Sequence, residues 1–590
     1  MNTPRSLKFR RFATRRSPRA VWRLLRLTPL GAGVAAVVGV PPITAWAQAN
    51  VIKPDGRTAT QQTVVGTRTD ITTGTVKGDN AFNSFSRFEV AQGQTVNVHV
   101  PKQAQRVINI VTDAPVRVDG VLNGLKDGSL AGNLVFADPA GMVVSRSGVI
   151  NAQSLQVVAT TRAHLDAMLD GQGKVGEAAV QQLLDGQAPR SAEGRVQIDG
   201  KVNVLDKVRI EARRVDIEGR IKAGADALHD ASFRAAVSSQ GISVATGMIE
   251  RGGVIELIDD DAVTLKGQLD ASQRGTLAMP DAAGAGLGGV VTVQAERIEL
   301  APGSRIDVSG LLGGGVATIG SISAPSEAAP AADEAVLPSA PKTQSLMAAV
   351  TSSVEADAIE RGDGGRIQFL SDGSADFGGF AGARGGAILG RGGFVEVSGR
   401  RRVQVYGLVD TTAAKGELGT LLIDPDSLSI SNGVAGGSSC LNVSDGACAI
   451  TTGTIAGLAG GANLILQAND SISFDAGTLL DLSKVLTSGS QSISFLSHDI
   501  TLGQNAKLIT GGGNVKLYAL GGQSDGVLGS GKFSYDSKIG WGPLNIGEQV
   551  KGGTIELQSG AAIITRPVAD QADAASAALT GDAGNVTLRA

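Results

Sequence analysis

The chain has 590 residues, of which 53 are basic and 56 acidic, and glycine alone fills 81 positions. These glycines show neither the three-residue period nor the proline content of collagen, so they separate short structural elements instead. Aromatic residues amount to only 3%, which excludes a large aromatic core and a platform of stacked rings.

The first 47 residues have the composition of a targeting segment. Nine basic residues and no acidic residue precede an apolar run from Leu27 to Val40, and Ala45-Trp46-Ala47 follows as a small-x-small cleavage site. This arrangement predicts a signal peptide over 1–47 that is cleaved between Ala47 and Gln48. The run is shorter than the roughly 18 residues of a membrane-spanning helix. The Arg10-Arg11 pair leaves the twin-arginine route open as an alternative to general secretion.

Loss of this leader would lower the basic count from 53 to 44, against 56 acidic residues, for a net charge of −12. A surface of that sign disfavours nucleic acid as a partner, because phosphate binding needs basic side chains. The four histidines show no HExxH motif and no paired spacing. The sequence therefore predicts no metal site, no catalytic triad and no cofactor.

Short strands are predicted from about residue 80 onward by apolar residues at every second position. Val96, Val98 and Val100 alternate with polar residues, and Ile108 and Ile110 flank Asn109. This period of two is typical of strands with one dry face. Glycines break each run within a few residues, so the chain must turn. The spacing favours a coil of stacked rungs, with the polar residue between each apolar pair facing solvent.

Two sequence blocks within this coil stand out. NAFNSFSRFEV, at 80–90, contains Phe85 and Phe88, whereas GNLVFADPAGMVVSRSGVINAQSL, at 132–155, contains the turn Asp138-Pro139-Ala140-Gly141 and Asn151. Together they resemble the amino-terminal secretion domain of filamentous haemagglutinin-type exoproteins exported by two-partner secretion, and most of all the leukotoxin-type filamentous adhesins. In that family the turn usually reads Asn-Pro-Asn-Gly-Ile. Asp138 still suits the first position, since its side chain can bond the backbone two residues on, whereas Ala140 cannot do so.

The resemblance implies a secretion domain over 48–224, recognised by an outer-membrane barrel transporter with periplasmic docking domains. It also implies export to the medium or to the outer bacterial surface, with a host-cell receptor or glycan as the eventual partner. A monomeric rod is the expected state. The secretion motif would comprise Phe85, Phe88, Asp138, Pro139, Ala140, Gly141 and Asn151.

The strand pattern is interrupted at 162–194, where helical spacing of apolar residues predicts one or two short helices outside the coil. After a second excursion at 225–251 the repeat becomes explicit. Inward pairs Val291/Val293, Ile298/Leu300 and Ile306/Val308 recur at offsets of seven and eight residues. Three strands per turn predict an all-β fold, a right-handed parallel β-helix with three sides, with rungs over 225–320.

An Ala/Pro/Ser-rich segment at 321–362 predicts a disordered loop or linker, since its prolines oppose helices and strands alike. Strand patterns return over 363–590 and stop partway through a rung. This favours a truncated exoprotein, with a rod that ends abruptly as the alternative. Cys440 and Cys448 lie in one loop of an exported chain, so they predict a local disulfide, with two free thiols as the alternative.

Two short motifs have plain alternatives. Arg361-Gly362-Asp363 spells an integrin-recognition tripeptide, but a solvated turn of the same sequence is the commoner occurrence. Asp259-Asp260-Asp261 could bind calcium, although three successive aspartates are more typical of a solvated turn.

Three functions remain open at this point. A secreted adhesin is favoured by the resemblance, and a stalk that delivers a carboxy-terminal toxin is the first alternative. The second is a polysaccharide-active β-helix enzyme, which rests on fold analogy alone. Such enzymes need clustered carboxylates with a base or metal, and usually aromatic platforms for sugar. Of tryptophan and tyrosine, only Trp541 and three tyrosines would remain after loss of the leader, and they are spread along the chain, so we expect no enzymatic activity.

Overall fold

A computed structural model describes residues 48–240, 251–275, 284–321, 341–434, 438–439, 447–519, 533–536, 540–543, 553–565 and 584–590. Most of the strands in these ranges run parallel and stack from rung to rung on three faces, which we call faces 1, 2 and 3. The fold is the parallel β-helix that the sequence predicts.

Face 1 begins the turn of each rung. It contains the first halves of Asn80–Val90, Lys207–Ile217 and Val254–Leu265, together with Arg106–Val111, Asn133–Ala137, Ser154–Val158, Val290–Gln294, Val316–Ser321, Arg366–Ser371, Phe394–Gly399, Thr420–Asp424, Asn463–Gln467, Ser492–Ser497, Asn514–Ala519 and Val586–Arg589.

Face 2 follows in each rung. It contains the second halves of the same three long strands, together with Val116–Val118, Gly141–Val144, Arg195–Ile198, Arg297–Leu300, Ser345–Ala348, Ser374–Phe377, Arg402–Val405, Ser427–Ser431, Ser471–Phe474, Asp499–Leu502 and Ile555–Leu557. Ala447–Thr451 pairs with Ser427–Ser431 in parallel and with Ser438–Ser439 in antiparallel orientation.

Face 3 completes the rung. It contains Arg68–Thr73, Thr95–Val100, Val121–Lys126, Val149–Ala152, Lys201–Val204, Arg220–Ala223, Gln268–Asp270, Arg305–Asp307, Ser353–Glu355, Phe380–Gly382 and Leu408–Asp410, and later Leu479–Leu482, Lys507–Thr510 and Ala562–Ile564. Between these two groups the helix α4, Thr452–Ala459, contributes Ile455 and Leu458 to the interior.

Antiparallel strands close the amino-terminal end of the coil. Val51–Pro54 pairs with Asn80–Val90, and Val76–Lys77 forms a short hairpin with the start of that strand. Thr60–Val65 forms a hairpin with Arg68–Thr73. We call Val51–Pro54, Thr60–Val65 and Val76–Lys77 the cap. A separate antiparallel pair joins Phe533–Asp536 to Gly540–Pro543.

The interior is one continuous apolar cluster, built from the alternating residues that the sequence singled out. Val291 and Val293 on face 1, Ile298 and Leu300 on face 2, and Ile306 on face 3 all point inward and are buried. Each such side chain contributes about 1.5–3 kcal/mol by leaving water. The predicted inward pairs are confirmed there.

Two excursions cover parts of the outer surface. Helices α1, Arg162–Met168, and α2, Glu177–Leu184, lie within the predicted helical interruption. They pack Leu165 and Leu183 against outward side chains of face 1 such as Phe82 and Ile108. A 3-10 helix, Ala225–His229, and helix α3, Ala231–Gln240, pack against face 3 through a cluster of Leu125, Leu130, Leu205, Ala227, Phe233 and Ala236.

The prediction of a disordered linker over 321–362 is wrong for the second half of that segment. Ser345–Ala348 pairs with Arg297–Leu300 on face 2, and Ser353–Glu355 pairs with Arg305–Asp307 on face 3. These strands are short and were hidden by neighbouring prolines, but the edge of the preceding rung supplies their hydrogen-bond partners. Residues 322–340 of the predicted linker lie outside the described ranges.

The sequence favoured a solvated turn for the aspartate triplet, but all three residues lie in the strand Val254–Leu265, and only Asp260 is exposed. Asp259 is fully buried in the strand Val254–Leu265, where the register against the preceding rung shifts and the strand bends from face 1 to face 2. Burial raises the pKa of Asp259 to about 7. Asp260 and Asp261 form ion pairs with Arg190 and Arg297.

No helix in the described ranges has the length and apolar character needed to cross a membrane.

Candidate functional site

Aromatic packing joins the two sequence blocks in the first rungs. Phe85 and Phe88 lie on the strand Asn80–Val90 with both rings fully buried, 5.2 Å apart between centroids and inclined by 74°. The Phe88 ring also meets Phe136, which lies two residues before the turn, at 5.3 Å and 72°. Edge-to-face pairs of this kind add about 0.5–1.5 kcal/mol each beyond burial. The first block and the turn are therefore one packed unit.

The side chain of Asp138 organises the turn. Its Oδ1 accepts hydrogen bonds from the backbone N–H of Ala140, at 2.7 Å, and of Gly141, at 3.3 Å. Its Oδ2 accepts a bond from the N–H of Val116 on the preceding rung, at 3.1 Å. The first set is the local turn that the sequence predicts, whereas the second ties two rungs together.

Burial of this carboxyl group has an electrostatic consequence. Burial raises the pKa of Asp138 to about 7, and the three backbone N–H donors and Arg162 oppose that rise. An asparagine in the same place could not satisfy all three donors, since its amide nitrogen is itself a donor. The aspartate found here thus replaces the family's asparagine without loss of the turn.

Gly141 combines a left-handed backbone with a close approach to the next rung. Its φ is +94°, and a Cβ added there would lie 2.1 Å from the carbonyl oxygen of Arg195. Only glycine avoids both the torsional strain and the clash. Ala140 contributes through its backbone, whose carbonyl accepts the N–H of Arg195 at 3.1 Å. Pro139 precedes it with the fixed φ of its ring.

Asn151 belongs to a ladder of amides that the sequence did not predict. Each Nδ2 donates to the Oδ1 of the preceding rung: Asn203 to Asn151, Asn151 to Asn123, and Asn123 to Asn97, all at 3.0 Å. The expectation that polar residues between apolar pairs face solvent is wrong at these positions, because all four side chains are buried. Hydrogen bonds aligned in this way strengthen one another in a low dielectric.

Both ends of this asparagine ladder are held by other polar groups. Asn97 donates to Asp70 at 3.0 Å, and Asn203 also donates to Ser232 of helix α3 at 3.0 Å. Burial acts to raise the pKa of Asp70, but hydrogen bonds from His99, Asn97 and Arg68 hold it below its usual value. The recurring asparagines between inward residues were the available signal, but nothing in the local sequence shows that they are buried.

In the rungs that follow Asn203, the same register position on face 3 is occupied by charged residues, namely Lys222, Asp270, Asp307 and Glu355. Lys222 pairs with Asp270 at 3.0 Å, and in later rungs Arg305 bridges Asp307 and Glu355 at 3.0 and 2.7 Å. Stacked acids would repel one another at the spacing of neighbouring strands, so the interleaved basic side chains are needed for the stack to form. In the described residues no group of three or more potential ligands is arranged for a metal ion.

The predicted cleavage site and the predicted disulfide fall largely outside the described residues. Ala47 lies outside the described ranges, and Gln48 is exposed. Cys440 is also outside them, and only the backbone of Cys448 is described, in the strand Ala447–Thr451.

The integrin-type tripeptide lies at the surface of a later rung. Arg361 and Asp363 are exposed. The Asp363 carboxylate accepts bonds from the backbone N–H of Arg391 at 2.7 Å and from its guanidinium at 2.9 and 3.3 Å. An external partner would have to displace that guanidinium to reach Asp363. A role of the tripeptide in integrin recognition stays a prediction.

Comparison with known families gives a match over the part of the chain that contains the secretion motif. A family model described as the TPS secretion domain, that is, the two-partner secretion domain, matches residues 50–312. Residues 50–312 are therefore the amino-terminal secretion domain of a two-partner secretion exoprotein of the filamentous haemagglutinin type. The match contains the cap, both sequence blocks, the asparagine ladder and both excursions.

Two further comparisons add little to this. The exoprotein has no significant match among curated proteins. A solved structure described as the HMW1 secretion domain from Haemophilus influenzae aligns over 92% of this chain and 99% of its own, with 14% identity and a TM-score of 0.34. A likeness of that degree carries no argument about function.

Membership in this family determines where the exoprotein acts. It is exported across the outer membrane to the extracellular space or the cell surface, and its partner is the outer-membrane transporter of such a system.

Proposed function

We propose that the exoprotein is a filamentous adhesin, secreted or retained at the bacterial surface, that a barrel transporter exports after its periplasmic docking domains bind the secretion domain. The proposal rests mainly on the family match over residues 50–312. Within it, 1–47 is the signal peptide, 48–224 the minimal secretion domain, 225–320 and 363–590 the rungs that display the binding surface, and 321–362 the segment between them.

The cap supports a direction for folding outside the cell. Antiparallel pairing of Val51–Pro54 with Asn80–Val90 leaves no place for a parallel rung on that side. The opposite edge of each new rung presents unpaired backbone groups, on which the next strand can form. A chain that emerges amino terminus first would therefore add rungs in one direction, and each closed rung would oppose backward sliding.

The motif contacts support a role in starting this process. Phe88–Phe136 packing joins rungs that are two apart, since Arg106–Val111 lies between their strands. The bond from the Val116 N–H to Asp138 links consecutive rungs. A first rung alone cannot bury its inner side chains, so contacts between rungs decide whether the coil nucleates.

Adhesion would use the outer surface of the later rungs, with a host-cell receptor or glycan as partner. Leu408 is 68% exposed and Tyr406 is 39% exposed on adjoining parts of one rung. Contiguous exposed apolar patches are typical of interaction sites, so Tyr406 and Leu408 are the first place on these rungs to test for a binding surface.

Export and adhesion can be tested separately. Co-expression with the partner transporter should place the exoprotein in the medium or on the cell surface, whereas deletion of 132–155 should leave it in the periplasm. The matched control deletes one later rung, 463–491. Purified exoprotein added to host cells should then bind them. Retention of both deletion variants would refute the role of the motif, and efficient export without cell binding would refute the adhesin assignment alone.

A further inference from the structure

Arg57 joins three parts of the chain at the amino-terminal end of the coil. It lies in the loop between the first two cap strands, and only 13% of its side chain is exposed. Its guanidinium donates to the Asp55 carboxylate at 2.8 Å, to the Ser84 hydroxyl at 2.9 Å and to the Leu169 carbonyl oxygen at 3.0 Å. Ser84 belongs to the first long strand, whereas Leu169 caps the carboxyl end of α1, 112 residues after Arg57. One side chain therefore connects the cap, the first rung and the helical excursion.

Two further contacts bring α1 and α2 against the cap. Lys77, on the third cap strand, pairs with Glu177 at the start of α2 with 3.0 Å between Nζ and Oε1. In the loop between the helices, a Cβ added to Gly173 would lie 2.3 Å from the carbonyl oxygen of Arg57. Because the Lys77–Glu177 pair is exposed on both sides, it adds little stability. Arg57 is thus the main link between the excursion and the cap.

Helices α1 and α2 cover the outer side of four consecutive rungs. A column on face 1 runs from Ser84 through Ile110 and Ala137 to Val158, each residue opposite the next. The three apolar members are fully buried in one cluster with α1 and α2. The remaining member, Ser84, is the residue that Arg57 binds. The cap loop and the helices therefore meet at the first rung of this column.

We propose that α1, α2 and Arg57 form a clasp that makes the cap and the first four rungs one cooperative folding unit. The inference rests on the proposed folding of the exoprotein outside the cell. Before α1 and α2 have emerged, Arg57 lacks its partner at Leu169, and the apolar side chains of the column remain in water. Backward sliding is opposed strongly only after the end of α2 has emerged and the clasp has closed. The helical excursion thereby takes part in export.

Cooperativity follows from the sequence separation of the partners. Contact between Arg57 and Leu169 closes a loop of more than a hundred residues, which costs conformational entropy. Packing offsets that cost only when the intervening rungs are stacked and hold both ends close together. A largely buried guanidinium also needs all its partners, since an unpaired buried charge is strongly unfavourable. Loosening the helices should therefore loosen the cap.

The second excursion provides a comparison within the same molecule. Helix α3 packs Phe233 in a cluster with Leu125 and Leu205 of face 3, and its Ser232 accepts a hydrogen bond from Asn203. In the described part of the chain, no member of that cluster belongs to the cap. Weakening α3 should therefore leave the first cap strand unaffected.

Hydrogen exchange on the secreted, full-length exoprotein tests the coupling. Leu165→Ala removes a buried contact of α1 with the column on face 1. Exchange in the cap strand Val51–Pro54 should become about ten-fold faster or more, because the weakened α1 no longer holds Arg57. Phe233→Ala makes a similar truncation in α3 and is the matched control, with unchanged exchange in Val51–Pro54. Unchanged exchange there in Leu165→Ala would overturn the proposal.

Export tests the part played by Arg57. With the partner transporter co-expressed, Arg57→Gln should lower the amount of exoprotein in the medium about ten-fold. Arg57→Lys keeps the charge without the fork of donors, so it should restore export only in part. Arg384→Gln is the control. Arg384 also links rungs, with its Nε 3.1 Å from Asp357, but it lies far beyond the clasp, so its loss should leave export normal.

The outcomes separate the clasp from the proposed function. Selective loss of export in Arg57→Gln, together with faster exchange of the cap in Leu165→Ala, supports the clasp. Equal export of Arg57→Gln and Arg384→Gln overturns it, whether both variants are exported normally or both are retained. Failure of the wild-type chain to leave the cell would instead refute the proposed export.

Discussion

Gly141 meets two demands at once, a positive φ and a gap too small for a methyl group. Gly93 shares the positive φ, at +75°, but has open space around it. Comparing the same substitution at Gly141 and at Gly93 therefore separates the effect of torsional strain from that of steric exclusion.

We expect Gly141→Val to destabilise the first rungs by about 1–3 kcal/mol more than Gly93→Val, which is the usual cost of overpacking. Hydrogen exchange should report faster opening of Gly141–Val144 and of its partner Arg195–Ile198. Export should fall with it. Equal protection and equal export in the two variants would show that the approach to Arg195 is unimportant.

Asp138 should make stability depend on pH. Its carboxyl group has an ordinary pKa of 3.8 when unfolded and about 7 in the fold. Folding favours the protonated form of Asp138. Its contribution to the free energy of unfolding is therefore fully present below the unfolded pKa and is lost as pH rises towards 7.

Between pH 4 and pH 7 the Asp138 titration should lower the free energy of unfolding by at most about 1.4 kcal/mol per pH unit. Asp138→Asn removes this titration and also leaves the Val116 N–H without an acceptor. The difference in melting temperature between wild type and variant should therefore shrink as pH rises, while other raised carboxyl groups such as Asp259 titrate in both proteins. A difference that is independent of pH would contradict the assignment.

The asparagine ladder joins four strands of face 3 by side-chain bonds as well as backbone bonds. Its members share one register position, Asn97 opposite Asn123, Asn123 opposite Asn151, and Asn151 opposite Asn203. A register slip by one residue would turn every amide into the apolar interior. The ladder thus specifies how these rungs stack.

Asn151→Ala should leave the Nδ2 of Asn203 and the Oδ1 of Asn123 with one partner fewer at buried positions. We expect a loss of about 1–3 kcal/mol, seen as faster hydrogen exchange in Val121–Lys126 and Lys201–Val204. Asn469→Ala is the control, because Asn469 donates a single part-buried bond to Asp426 at 2.9 Å. Similar exchange in the two variants would show that the ladder adds nothing beyond backbone pairing.

A substitution in one rung should destabilise only that part of the coil, because each rung mainly contacts its neighbours. Ile298 lies opposite Val263 in the preceding rung and Leu346 in the next. Ile298→Asp would place an unpaired carboxylate among these side chains at a cost of several kcal/mol.

Hydrogen exchange should show lost protection around Arg297–Leu300 and its two partner strands, with Arg106–Val111 unaffected. Glu299→Ala, a change of the adjacent residue on the outer side of the same strand, should alter little. A uniform loss of protection across the described coil would contradict nearest-neighbour stability.

The sequence determined the local features of this protein. Alternation in Ile298/Leu300 and Ile306/Val308 identified strands and their inner faces, helical spacing located α1 and α2, and the blocks around Phe85 and Asp138 indicated the family. These signals lie within a few residues of one another, so they do not depend on which distant strand becomes a neighbour.

Only the tertiary structure decided which rungs stack and what is covered. Ile298 lies opposite Leu346, although their strands are far apart in the chain. Asn97, Asn123, Asn151 and Asn203 are buried in a ladder of side-chain hydrogen bonds, and Ser232 of α3 accepts a bond from its last member, Asn203. Local polarity predicted exposure for these amides. Burial and register depend on contacts between residues far apart in the chain, which no periodicity encodes.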